Sequence, residues 1–190
     1  MLYEILSFLI EIGVTLVGGA CLLRLAMRWR RMGFAHPVGQ LVQAFSDWLV
    51  GPLQRLLPAT GALDVASLLA VWLLKLAQYA LLMALLNLTH WSVLPVLALL
   101  GVARLAISVA TAVIIIAAVL SWTQNRGSPI AAVLDRLADP LLAPLRRVLP
   151  RVGGLDLSPL VALVALQVLG IVLGSLQAGL LGDPMALAAG

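Results

Sequence analysis

VLPVLALLGVARLAISVATAVIIIAAVL (Val93–Leu120) carries one charge, Arg104, and is longer than the roughly 20 helical residues that cross a bilayer. Three further runs read the same way: Leu2–Met27, Leu63–Leu88 and Leu157–Leu181. The first has no basic leader, and Glu4 and Glu11 interrupt it, so it reads as a span rather than a signal peptide. The whole composition agrees: 63% of the 190 residues are hydrophobic and 11% are charged. A soluble domain carries roughly 45–50% and about 25%. Too little polar surface exists to cover a soluble globule, and disordered chains are poor in apolar residues. The class is an all-α membrane protein with four transmembrane helices.

The charges give orientation. Twelve Lys and Arg against eight Asp and Glu leave a net +4, and Lys75 is the only lysine. Arg28, Arg30, Arg31 and Arg55 lie between the first and second spans, and Arg126, Arg136, Arg146, Arg147 and Arg151 lie between the third and fourth. The Asn87–Ser92 hairpin and the tail after Leu181 have no Lys or Arg. By the positive-inside rule both long loops are cytoplasmic and both termini periplasmic. Trp29 and Trp122 at the inner ends and Trp91 in the outer hairpin suit aromatic belts. The basic balance therefore marks topology and not nucleic acid.

Sliding the chain on itself by 92 residues places Pro37 on Pro129, Asp47 on Asp139, Pro52 on Pro144 and Arg55 on Arg147. It also places Pro58 on Pro150, Gly61 on Gly153 and Asp64 on Asp156. The matched strings are GPLQRLLPATGALD (Gly51–Asp64) and APLRRVLPRVGGLD (Ala143–Asp156). This is a tandem parallel repeat, 1–92 and 93–190, each unit being span, cytoplasmic loop, span. Such units are expected about a pseudo-two-fold axis, packed as a compact four-helix assembly.

Each loop carries apolar residues at helical spacing: Val38, Leu41, Val42, Phe45 and Leu49 in the first, Ile130, Val133, Leu134, Leu137 and Leu141 in the second. The pattern predicts amphipathic interfacial helices over 38–58 and 129–150, with the apolar face in the acyl boundary. Arg55, Arg136, Arg146, Arg147 and Arg151 are placed to meet anionic lipid headgroups or a protein partner. Pro52, Pro140 and Pro144 are expected to break each loop into two short helices, with Asp139 capping the second. Pro58 and Pro150 mark the turn back, and Asp64 and Asp156 are placed to cap the following spans.

LLRLAMRW (Leu22–Trp29), HPVGQ (His36–Gln40), GPLQRLLPATGALDVAS (Gly51–Ser67), Ser121–Trp122 and RGSPIAAVLDRLADPLLAPLRRVLPRVGGLDLSP (Arg126–Pro159) together resemble the YggT (YggT/YlmG) family of bacterial inner-membrane proteins, in its two-copy form. His36 departs from the pattern, where Asn before the Pro is commoner, and Ser128 fills that place in the second copy. The resemblance implies a multi-pass inner-membrane protein. It also implies links, differing by lineage, to osmotic or potassium stress, to cell division and to assembly of a haem-containing complex in plastids. It supplies no catalytic residues and no cofactor.

Glu11, Lys75 and Arg104 fall near the middle of three spans, and the offset carries Lys75 onto Gln167 in the fourth. An unpaired charge there costs about 2.5–3.5 kcal/mol on insertion scales. Two readings stay open for this midplane group: a polar cluster that fixes helix pairing, or a permeation or proton-relay site. The strings GxxxxGK[ST], GxSxG, HExxH and CxxC are absent, and Cys21 is the lone cysteine. The expected activity is non-enzymatic: a membrane scaffold or assembly factor with a lipid or envelope-protein partner, or alternatively a component of ion or osmolyte transport.

Overall fold

Lipid offers the backbone no hydrogen-bond partner, so each long apolar run must close its own N–H···O bonds as a helix. The computed structural model describes residues 2–57, 64–86, 91–122, 128–148 and 156–181, and within them the regular structure is helical. The order is α1 (Leu2–Trp29), α2 (Pro37–Leu56), α3 (Val65–Leu85), α4 (Leu94–Trp122), α5 (Pro129–Val148) and α6 (Ser158–Leu181). A short 3₁₀ turn, Trp91–Val93, leads into α4. Helices α1, α3, α4 and α6 are long and apolar enough to span a membrane. The expected span ends at Leu63 and Leu88, and the repeat residues Pro58 and Pro150, lie outside the described residues, as does Arg151.

Local chemistry sets the helix ends. Helix α1 stops where Arg31 takes a left-handed φ of 52°, closed by Met32 N–H donating to the Met27 carbonyl at 2.9 Å. His36 caps α2: its Nδ1 accepts from Gly39 N–H at 3.0 Å, and Pro37 occupies the first turn. The imidazole does what the commoner Asn would do. Ser128 Oγ accepts from Ile130 N–H at 3.2 Å at the equivalent place before α5. Asp64 caps α3 as expected, accepting from Ser67 N–H at 3.2 Å. Asp156 accepts from Ser158 N–H at 2.9 Å before α6.

The prolines do not divide the loops. Helix α2 runs through Pro52, and α5 runs through Pro140 and Pro144. Each such Pro forfeits one intrahelical bond. Packing outweighs that loss: Val42, Ser46 and Val50 of α2 and Val133, Leu134, Leu137, Ala138 and Leu142 of α5 are buried. Asp139 is therefore mid-helix and caps nothing; arginines take its carboxylate instead. The apolar face of α5 also departs from the acyl-boundary expectation, because it lies on the inner ends of the spans against Met27, Met32, Val113, Ile114 and Ala117.

Helices α1, α2 and α3 pack on one another, as do α4, α5 and α6. The two halves meet where α4 lies on α3 and α1, around Cys21, Leu22, Ala70, Val71, Val102 and Leu105. A two-fold relation would also press α6 on α1. Among the described residues α6 makes no contact with α1 comparable to that of α4 with α3, so in place of the expected compact four-helix assembly α6 lies at the edge.

The α3–α4 junction depends on a missing side chain. A Cβ on Gly101 would lie 2.7 Å from the Tyr79 ring and 3.2 Å from the Lys75 stem. A Cβ on Gly13 would meet nothing within 4 Å. Gly101→Val is expected to destabilise the detergent-solubilised protein by about 1–3 kcal/mol through overpacking. Gly13→Val should leave the thermal midpoint nearly unchanged, and a melting curve of the two variants checks the difference.

Candidate functional site

A carboxylate removed from water must be paired and hydrogen-bonded to remain ionised. Asp64 is fully buried at the N-terminal end of α3 and meets that requirement from three helices. Ser67 Oγ donates to Oδ2 at 2.9 Å, Gln54 Nε2 of α2 at 3.1 Å and Arg28 Nη1 of α1 at 3.0 Å. Arg24 Nε lies 3.7 Å away, and the same guanidinium donates to Ser46 Oγ at 3.0 Å and pairs with Asp47 on α2. One turn of α1 thus presents two arginines to two aspartates, and α2 is clamped between α1 and α3.

The second half has a lighter arrangement. Arg146 Nε donates to Asp156 Oδ2 at 2.9 Å, in the position where Gln54 meets Asp64. Asp139, the counterpart of Asp47, takes Arg30 Nη2 at 3.2 Å and has Arg146 Nη1 at 3.7 Å. Arg30 comes from the first half, just past the end of α1, so this pair ties the end of α1 to α5. Ile116 and Leu120 stand at the offset positions of Arg24 and Arg28, which explains why Asp156 is left in partial contact with solvent.

Of the arginines expected to meet lipid or a partner, Arg55, Arg136 and Arg147 are exposed. Arg146 is held by the two aspartates. Arg151 lies outside the described residues.

The midplane residues separate into two places. Lys75 is buried, donates to Gln78 Oε1 at 2.9 Å and lies 5.9 Å from the Tyr79 ring centroid. Gln177 of α6 donates to the Tyr79 hydroxyl at 3.0 Å and completes this chain of polar groups. Glu11 and Arg104 are close enough to act electrostatically on Lys75, but among the described residues neither forms a direct ion pair with it. Gln167 is elsewhere: it shares with Arg104, Ser108 and Thr111 a groove of about 470 Å³ between α4 and α6. Glu11, Arg104 and Gln167 are exposed on the protein surface.

Sequence reading missed Arg24, Gln54 and Gln177 as partners, and counted Arg28 and Arg30 only as topology markers. The signal for Arg24 was present: a charge within an apolar run requires a partner, and Asp47 was already marked by the repeat. No group of His, Cys, Asp and Glu placed to hold a metal ion occurs among the described residues.

The family model described as CCB3/YggT matches this chain twice, over residues 3–85 and 96–177. The uncharacterized protein YggT of Escherichia coli is 35% identical over 172 residues, covering 87% of each chain. An uncharacterized protein of Vibrio alginolyticus, from the proC 3′ region, is 31% identical over 174 residues, covering 90% of this chain and 94% of its own. One from Haemophilus influenzae is 30% identical over 159 residues, covering 84% and 86%. No solved structure matches.

Burial pushes the Asp64 carboxyl up, but the Ser67 hydrogen bonds, the Arg28 charge and the Gln54 amide outweigh it and hold it below 3.8. A carboxyl depressed in the folded state stabilises above its unfolded value and loses that contribution as pH falls through its folded one. The expected outcome is a melting temperature that drops on acidification below about pH 4. Asp64→Asn should flatten that drop. At neutral pH, Asp64→Ala is expected to cost about 3–5 kcal/mol by stranding Arg28 and Arg24, and Asp156→Ala about 1 kcal/mol because its pair is partly solvated.

Proposed function

The chain belongs to the CCB3/YggT family, and from that premise we propose a non-enzymatic scaffold or assembly factor of the bacterial inner membrane, built from two tandem copies of one span–helix–span unit. The two family matches support the duplication, as do the 92-residue sequence offset and the equivalent Gln54–Asp64 and Arg146–Asp156 contacts. Both termini are placed in the periplasm by the arginine distribution, with α2 and α5 on the cytoplasmic side.

The observation that carries the scaffold reading is the clamping of α2 and α5. Arg24 pairs with Asp47 of α2, and Arg30 with Asp139 of α5, so both helices are held to the end of α1, and Arg55, Arg136 and Arg147 are exposed on them. Fixed, solvated cations suit recognition of anionic headgroups or an acidic face on another envelope protein. The osmotic and potassium-stress association implied by the family fits this role as well as it fits transport.

A second reading, ion or osmolyte transport, draws on Lys75 buried in mid-span with Glu11 and Arg104 nearby. Reconstituted protein separates the two. The scaffold reading expects no potassium or proton flux above protein-free liposomes. It also expects a membrane partner to co-purify stoichiometrically, and to be lost on Arg136→Gln with Arg147→Gln at unchanged yield of folded protein. Flux that disappears in Glu11→Gln would overturn it in favour of transport.

A further inference from the structure

Helices α4 and α6 pack on each other, yet the groove of about 470 Å³ remains between them. That volume lies within the roughly 300–1,000 Å³ of small-molecule sites. One stripe of each helix lines it: Arg104, Ser108 and Thr111 on α4, and Gln167, Gly170 and Gly174 on α6. The 92-residue offset puts Ile12 and Leu16 of α1 at the places of Arg104 and Ser108, so this cation and hydroxyl belong to the second unit alone. The room comes from the glycines. A Cβ on Gly174 would meet nothing within 4 Å, and one on Gly170 only Ile107 Cγ2 at 3.9 Å. Gly101 is demanded by the Tyr79 ring, but neither of these two is needed to bring α4 and α6 together. Their effect is open space on the surface of the spans.

The groove also holds a charge that the protein leaves unpaired. Arg104 is exposed, and among the described residues its guanidinium forms no hydrogen bond or ion pair. No carboxylate lines the groove, and nearby Lys75 has the same sign. Ser108 and Thr111 donate their hydroxyl protons to the carbonyls of Arg104 and Ile107, at 3.2 and 2.8 Å, and do not meet the guanidinium. The Gln167 amide has no hydrogen-bond partner among the described residues, and its N–H groups suit an ester carbonyl. A guanidinium in hydrocarbon is stabilised by a counter-anion and by reaching toward the interface. Arg104 lies about 15 Å along α4 from Leu94, and helical side chains lean toward their own N-terminus, so its charge is carried toward the headgroups at that end.

We infer that this groove binds a phospholipid of net negative charge, its phosphate on Arg104 and one acyl chain laid over Gly170 and Gly174. The phosphate–guanidinium pair is of the strong, charge-assisted kind. A zwitterionic headgroup brings an ammonium for which the groove has no carboxylate, and the like charge of Lys75 opposes it. An anionic headgroup has no such ammonium to place. The site is separate from the solvated Arg55, Arg136 and Arg147, and it stands under either reading of function above.

The test uses the full chain, delipidated in a neutral detergent, with bound lipid counted by native mass spectrometry. The probes are phosphatidylglycerol and phosphatidylcholine with identical acyl chains. One phosphatidylglycerol per chain should be retained about tenfold more strongly than phosphatidylcholine, the ratio expected from one charge-assisted hydrogen bond. Arg104→Gln should abolish that preference and Arg104→Lys should keep it. Arg136→Gln with Arg147→Gln should leave it intact. Gly174→Leu fills the groove without a clash, and should cut phosphatidylglycerol retention several-fold at unchanged melting temperature. A preference that survives Arg104→Gln, or that is lost with Arg136 and Arg147 instead, overturns the site. So does unaltered retention in Gly174→Leu. Displacement of the lipid by glycerol phosphate, which has the phosphate without the chains, would assign the groove to a soluble anion and overturn the lipid as its occupant.

Discussion

The buried carboxylate of Asp64 is the constraint on which the arrangement of this molecule turns. It starts α3, pairs with Arg28 and lies 3.7 Å from Arg24 at the end of α1, and accepts from Gln54 on α2. Each bond alone is ordinary. Together they leave α2 one position relative to the two spans, since any displacement would strand a charge in a dry site. The apolar contacts of Val42 and Val50 then fill the space that the ion pairs define.

The second half shows what happens when that constraint is relaxed. Ile116 and Leu120 stand in place of the arginines, and Asp156 is held by Arg146 and by the N–H of Ser158 at the start of α6. Helix α5 is held instead by a broad apolar contact and by Arg30 from the other half. The first unit is thus self-contained at its inner end, and the second leans on the first. This dependence matches the position of α6, which touches α4 and reaches α3 through Gln177 but lies at the edge of the assembly.

Much of the fold was legible in the sequence because lipid simplifies the problem. Long apolar runs have to be helices, and Asp64 before Val65 has to cap one. Local rules failed where tertiary packing decided. Pro52 and Pro140 were read as breaks, yet burial on both sides carries the helix through them. Counting arginines for orientation treated Arg28 and Arg30 as solvated, although their partners, Asp64 and Asp139, are far away in sequence. Depth alone grouped Glu11, Lys75, Arg104 and Gln167, but residues at one depth can face different neighbours. Helix rotation placed Gln167 on the α4–α6 groove and gave Lys75 to Gln78 and Tyr79.

The spans also differ in length within each half. Helices α1 and α4 have 28 and 29 residues, and α3 and α6 have 21 and 24. At about 1.5 Å per residue the longer pair exceeds a hydrocarbon core of roughly 30 Å by about two turns, whereas α3 nearly matches it and α6 exceeds it by about one turn. The surplus on α1 includes the turn bearing Arg24 and Arg28, where α2 is fastened. A bilayer matched by α3 and α6 thus leaves α1 and α4 to tilt or to project beyond it.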